Sequence, residues 1–287
     1  MTRGGLDGSA TAPRSSRPVV SGVVGKMVSM RVRKPCVHAI PHTGFARAYL
    51  IEGTAGIAAV DVGSRGSALD VEDHLTGVLH RPLEDLRFIA ATHFHIDHIG
   101  GIGFLLRRCP PETTVLMPRQ VRKYLEGSAP VPIMRNWFVG LMPASVMSAC
   151  SVRRAAHFRV MTPAGIPLPG IRRCRRLPYE DRIVYPQGPG RRYPLGLDNW
   201  EIIETPGHTG DSVSFYNDPT GELICGDLII NMVMKKSAAL NRFYQDRRRM
   251  TDSFQYLLGN TRPLKIYPGH GAVIEDDANA LGSVTGF

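Results

Sequence analysis

A run of seven residues, Thr92-His93-Phe94-His95-Ile96-Asp97-His98, constrains this chain more than any other feature. It ends an apolar run over residues 86–92 that reads as a strand buried on both faces, and it precedes a glycine turn and a helical pattern. At a strand end, side chains two apart share a face, so His93 and His95 can hold one ion together. Where the chain turns into helix, Asp97 and His98 come round to a neighbouring position. Three histidines and a carboxylate this close to a buried strand are costly unless something compensates their lone pairs and charge. Metal coordination does so.

Three later segments extend the pattern. Thr205-Pro206-Gly207-His208-Thr209, Cys225-Gly226-Asp227 and Tyr267-Pro268-Gly269-His270-Gly271 each follow a strand-like run, at residues 200–205, 222–225 and 265–267. Every ligand candidate therefore sits at a strand's C-terminal end, where loops on a rigid sheet can be aimed at one point. Further strands are expected at 36–40, 47–51, 57–60, 113–117 and 213–216. Helices are expected at about 67–79, 98–108, 119–126 and 246–258.

The ordered set HFHIDH, PGHT, CGD and PGHG, with the earlier Asp61-Val62-Gly63 turn, resembles the metallo-β-lactamase superfamily over residues 36–275. That resemblance implies an α+β fold, a four-layer αβ/βα sandwich with a helical insertion. It implies two divalent metal ions, zinc foremost, with iron or manganese as alternatives. Carried over residue by residue, His93, His95 and His208 match the first metal site, and Asp97, His98 and His270 the second. Asp227 matches the carboxylate bridging the ions, and Asp61 the residue that orients a ligand histidine. The bridging aspartate points to the thioesterase and lactonase branches, with glyoxalase II and acyl-homoserine lactonases as members, and away from antibiotic hydrolysis. Those branches continue PGHT with a second Gly-His pair, whereas this chain reads Gly210-Asp211-Ser212, so their substrate groups do not transfer. The chain ends 17 residues after His270, so no glutathione-binding domain is expected behind it.

The chemistry implied is hydrolysis of a thioester, lactone or other ester by a water bridging the ions, its pKa lowered to about 7. Asp97 is the candidate catalytic proton carrier. A persulfide dioxygenase with a single iron resembles the same ligand set and is the alternative. A nuclease is a third reading, because an arginine-rich loop can contact phosphates. A non-catalytic metal-binding regulator is disfavoured by the complete ligand set.

Composition bounds the rest. The chain has 287 residues, 43% hydrophobic and 21% charged, enough for a sizeable core. No stretch approaches the roughly 20 apolar residues of a membrane-spanning helix, and the N-terminus lacks a secretory h-region, so the expected compartment is the cytoplasm. The cysteines at 36, 109, 150, 174 and 225 contain no CxxC pair and are expected to be reduced. Net charge is +10, but residues 1–34 carry +6 and residues 153–192 carry +8, leaving −4 for everything else. The first 30 residues read as a disordered basic leader, residues 31–287 as the metallo-β-lactamase-like domain, and about 130–193 as its Pro- and Arg-rich insertion.

Within the insertion, Ile133, Met134, Trp137, Phe138, Leu141 and Met142 form an apolar helical stripe, read as a cap with its own core or a lid over an apolar pocket. Arg172-Arg173-Cys174-Arg175-Arg176 and Lys235-Lys236 are the other segments that could meet an anionic substrate. The expected partner is a small-molecule substrate with an acyl or apolar part. Nucleic acid is not expected.

Overall fold

A computed structural model describes residues 36–133, 152–160, 162–167, 176–232 and 238–286. The leader, residues 134–142 of the apolar stripe, Cys174 with Arg172, Arg173 and Arg175, and Lys235-Lys236 lie outside the described residues. Two six-stranded sheets carry the architecture. The first contains β1 (Cys36–Ala39), β2 (Tyr49–Gly53), β3 (Gly56–Val60), β4 (Leu86–Ala90), β5 (Thr114–Leu116) and β6 (Ile183–Val184), paired in that order. β1 to β3 are antiparallel, and β3 to β6 run parallel. The second sheet uses β7 (Arg192–Pro194), β8 (Trp200–Glu204), β9 (Val213–Asn217), β10 (Glu222–Gly226), β13 (Lys265–Pro268) and β14 (Ile274–Glu275). Its order is β14-β13-β10-β9-β8-β7, with β10 and β13 parallel. A two-stranded ribbon joins β11 (Ile229–Ile230) to β12 (Ala239–Leu240).

The period-2 pattern of the strands sorts their side chains into layers. Tyr49, Ile51, Ala58, Val60, Phe88 and Ala90 face across to Trp200, Ile202, Phe215, Ile224 and Tyr267 of the second sheet and fill the centre. The alternate residues Leu50, Ile57, Ala59 and Ile89 face outward. They are covered by α1 (Arg65–Asp73), α3 (Ile102–Leu106) and α4 (Val121–Leu125). On the far side Ile203, Tyr216, Leu223 and Ile266 are covered by Met250, Phe254 and Leu257 of α5 (Arg247–Asn260). This is the four-layer sandwich, and it explains why β4 reads as apolar on both faces.

Two local features depart from the sequence pattern. The helix expected over 98–108 is broken into α2 (Ile96–Ile99) and α3 at Gly100-Gly101. The Gly101 amide donates to Val62 O at 2.8 Å, and a Cβ at Gly101 would overlap the Ser64 carbonyl. The glycine step lets the turn at the start of α1 dock against the metal loop. Residues 183–193, which composition groups with the insertion, contribute β6 and, with Pro194, β7 to the sheets.

Candidate metal centre

The seven sequence-selected side chains converge on one cluster. His93, His95, Asp97 and His98 follow β4, His208 follows β8, Asp227 follows β10 and His270 lies at the end of β13. His95 Nδ1 lies 3.0 Å from His93 Nε2 and 3.1 Å from His208 Nε2. Asp97, His98 and His270 form a second group, and His93, His98 and Asp227 a third that overlaps both. Asp227 joins them: its Oδ2 is 3.3 Å from Nε2 of both His208 and His270, and its Oδ1 is 3.4 Å from His98 Nε2. Among the described residues, every metal-compatible group of side chains belongs to this cluster.

Hydrogen bonding tests whether these residues fit a metal. Thr92 donates its hydroxyl to Asp61 Oδ2 at 2.8 Å, so its oxygen accepts the Nδ1 proton of His93 at 3.1 Å. His208 donates Nδ1–H to Phe243 O at 2.6 Å. Both Nε2 atoms therefore present lone pairs to His95 Nδ1, which has at most one proton to give. Three nitrogens about 3 Å apart with too few protons between them fit a cation bonded at about 2.0–2.1 Å. Nε2 of His95 is buried without a hydrogen-bond partner.

Electrostatics agrees with this assignment. Burial, then the neighbouring histidines, lowers His93 well below the ordinary range; burial and His208 take His95 down to about 3. His208 is lowered by burial as well. These three are neutral and can each offer a nitrogen lone pair. In the other group burial opposes charge, but the carboxylates prevail: Asp61 and Asp97 raise His98, and Asp227 raises His270 to about 10. Burial would raise Asp97 and Asp227, and the histidines beside them outweigh it and hold both low. Two buried or half-buried carboxylates thus demand positive charge at this spot, which divalent cations supply as well as protons do.

The supporting contacts come from afar in sequence. Asp61, at φ 58°, receives the Thr92 amide at 2.8 Å and lies 2.9 Å from His98 Nδ1 through its other oxygen. One carboxylate thereby contacts a histidine of one group and, through Thr92, a histidine of the other. A Cβ on Gly63 would overlap the Asp97 carbonyl, so only glycine allows this approach. Arg47 donates its amide to Gly269 O at 2.8 Å and its Nε to Gly271 O at 3.0 Å, bracketing His270. Gly165 O accepts the Ile96 amide at 3.1 Å, so residues 162–167 pass beside the metal loop.

Sequence reasoning missed Asp211 and Thr92. Asp211 is buried; its Oδ2 accepts the Phe94 amide, between two ligand histidines, at 2.7 Å, and its Oδ1 accepts the Tyr124 hydroxyl at 3.3 Å. The departure from the Gly-His pair at this position was the available signal. Thr92 carried none beyond its place before His93. Cys225 is buried with its thiol pushed up to about 12 by burial, and Cys109 is pushed to about 11, so neither is a nucleophile.

The metallo-beta-lactamase superfamily profile matches residues 43–270, most of the chain. The chain belongs to that superfamily. Among its relatives in the superfamily, the beta-lactamase-like protein 2 homolog of Drosophila melanogaster is 23% identical over 222 residues, 75% of this chain and 57% of that protein. A hydroxyacylglutathione hydrolase of Hahella chejuensis is 26% identical over 205 residues, 69% of this chain and 50% of that protein. The chain thus spans between half and three-fifths of the length of these curated relatives. The crystal structure of an archaeal superfamily protein from Sulfolobus tokodaii superimposes with a TM-score of 0.51 at 20% identity, covering 84% of this chain and 82% of that one. The shared fold places the metallo-β-lactamase sandwich on structural as well as sequence grounds, and superfamily membership implies divalent metal binding.

Proposed function

We propose that this chain is a hydrolase of thioesters, lactones or related esters that holds two divalent ions, zinc foremost, through His93, His95, His208 and Asp97, His98, His270, with Asp227 shared between the groups. The observation that carries the reading is the position of Asp227, whose two oxygens face histidines of both groups. The hydrolase named from Hahella chejuensis supports the ester class.

When bound, the ions supply Lewis acidity and a water acidic enough to attack at neutral pH. The chain's own residues do the rest. Thr92 holds His93 in one tautomer and orientation, Phe243 O does the same for His208, and the Asp61 carboxylate lies against Nδ1 of His98. Asp97 is the more exposed of the two carboxylates, at 30% against 5% for Asp227, and it lies on the open side of the cluster. Its Oδ2 faces His98 at 3.8 Å and His270 at 3.5 Å. The Asp97 carboxylate is the group that would take the proton from water and return it to the leaving group. His93, His95 and His98 are buried, which excludes bulk water beneath the reacting bond.

The test is metal quantification coupled to a screen of thioesters, lactones and phosphodiesters. Two zinc ions per chain with ester turnover support the proposal. A single iron with consumption of dioxygen and a glutathione persulfide refutes it.

A further inference from the structure

Beside the turn that carries His208, a groove opens toward solvent. Its larger chamber, about 570 Å³, lies between the β5–α4 turn, the 206–213 turn and the first turn of α5. A smaller chamber of about 300 Å³ continues from it along Gly207, Thr209 and Gly210 toward Pro130. Gln120, Gly210 and Arg249 line both. The turn separates the groove from the ligand nitrogens, and none of the seven candidate metal ligands lines it.

Four cations line the larger chamber, and two are already committed. Arg119 pairs with Glu204 at 2.5 Å, and Arg122 pairs with Glu126 at 2.7 Å. Among the described residues, Lys123 of α4 and Arg249 of α5 make no ion pair, so two cations of the groove lack a carboxylate partner; Asp246, which lines the smaller chamber beside Arg249, accepts the Arg249 amide at 3.1 Å as the cap of α5. The third carboxylate of the lining, Asp211, is buried and accepts bonds from Phe94 and Tyr124. It offers the two cations little.

Gly210 stands at the junction of the chambers. Its φ is not in the left-handed region, and a Cβ there would press on Tyr124 Oη at 3.3 Å, with Gln245 Oε1 at 3.6 Å and Arg249 Nη1 at 4.0 Å in ordinary contact. Backbone conformation does not demand a glycine here, and packing asks only that the Tyr124 hydroxyl give by a few tenths of an ångström. Its effect is to leave the passage open and the turn's backbone bare beside a guanidinium, an amide and a hydroxyl. Guanidinium and ammonium groups recognise phosphoryl oxygens.

We propose that this groove binds a phosphoryl group, free or carried on a small organic molecule, through Lys123 and Arg249, at a site distinct from the metal centre. The chamber is larger than a phosphate ion needs, which leaves room for an organic remainder. The proposal does not depend on the hydrolase reading.

Calorimetric titration of inorganic phosphate and of glycerol 3-phosphate into the full chain tests it. Because a metal centre can itself take phosphate, two variants separate the sites. Asp227→Ala should retain phosphate binding at the groove with unchanged affinity. Lys123→Gln combined with Arg249→Gln should weaken it at least tenfold without altering the melting temperature, and the native affinity should fall as salt rises. Tighter binding of the ester assigns the organic form, and equal binding the free ion. Absence of binding in Asp227→Ala, or a double variant that binds like the native chain, overturns the proposal.

Discussion

Asp61 Oδ2 lies 2.9 Å from His98 Nδ1 while Oδ1 holds the amide of Thr92, whose hydroxyl in turn receives His93. A single side chain at the end of β3 therefore reaches a histidine in each half of the cluster, His98 directly and His93 through Thr92. Asp61→Asn tests this cleanly, because asparagine tolerates the left-handed backbone that Asp61 adopts. Metal affinity, read by chelator competition, should fall about 10- to 100-fold with the fold retained.

Asp211 should matter through geometry. Asp211→Ala leaves the buried Phe94 amide without its acceptor, a loss of about 1–3 kcal/mol, or several degrees in melting temperature. Asp211→Asn should recover most of it, because the amide oxygen takes Phe94 N–H and the NH2 donates to the Tyr124 hydroxyl oxygen. Thermal unfolding of both variants distinguishes this from a need for charge, in which case asparagine would fare no better than alanine.

Gly63→Ala should be among the most damaging small substitutions in the chain. The new methyl would overlap the Asp97 carbonyl, and relief requires the metal loop to move. A stability loss of about 1–3 kcal/mol with reduced metal content is expected. Unchanged metal content would show that the loop is free to shift.

Much of the fold is legible in the sequence, and the reason is local. Candidate ligands within HFHIDH lie on one continuous strand-to-helix turn, and each of the others follows a strand signal; what groups them into one centre is the resemblance to the metallo-β-lactamase superfamily. The apolar run of β4 likewise announces a strand covered on both sides. What escaped notice depends on pairs far apart in the chain: Asp211 reaches Phe94 across 117 residues, and Gly165 reaches Ile96. No local pattern encodes those partners. The break at Gly100-Gly101 was hidden because its cause, the close approach of Val62 and Ser64, is tertiary.

Asp97→Asn should separate binding from turnover. The amide keeps an oxygen toward the cluster but cannot accept a proton, so kcat on an ester substrate should fall by about 10²- to 10⁴-fold. Metal content should decline far less. A proportional loss of metal and rate would make Asp97 a ligand only.

The central claim is that both groups of ligands form one centre holding two ions through Asp227. Metal-to-protein ratios by mass spectrometry, on the native chain and on Asp227→Ala after saturation and desalting, test it most directly. The account predicts two ions per native chain, and joint loss of both in the variant, because the carboxylate that offsets repulsion between the cations is gone. One ion in the native chain, or two retained in Asp227→Ala, would contradict it.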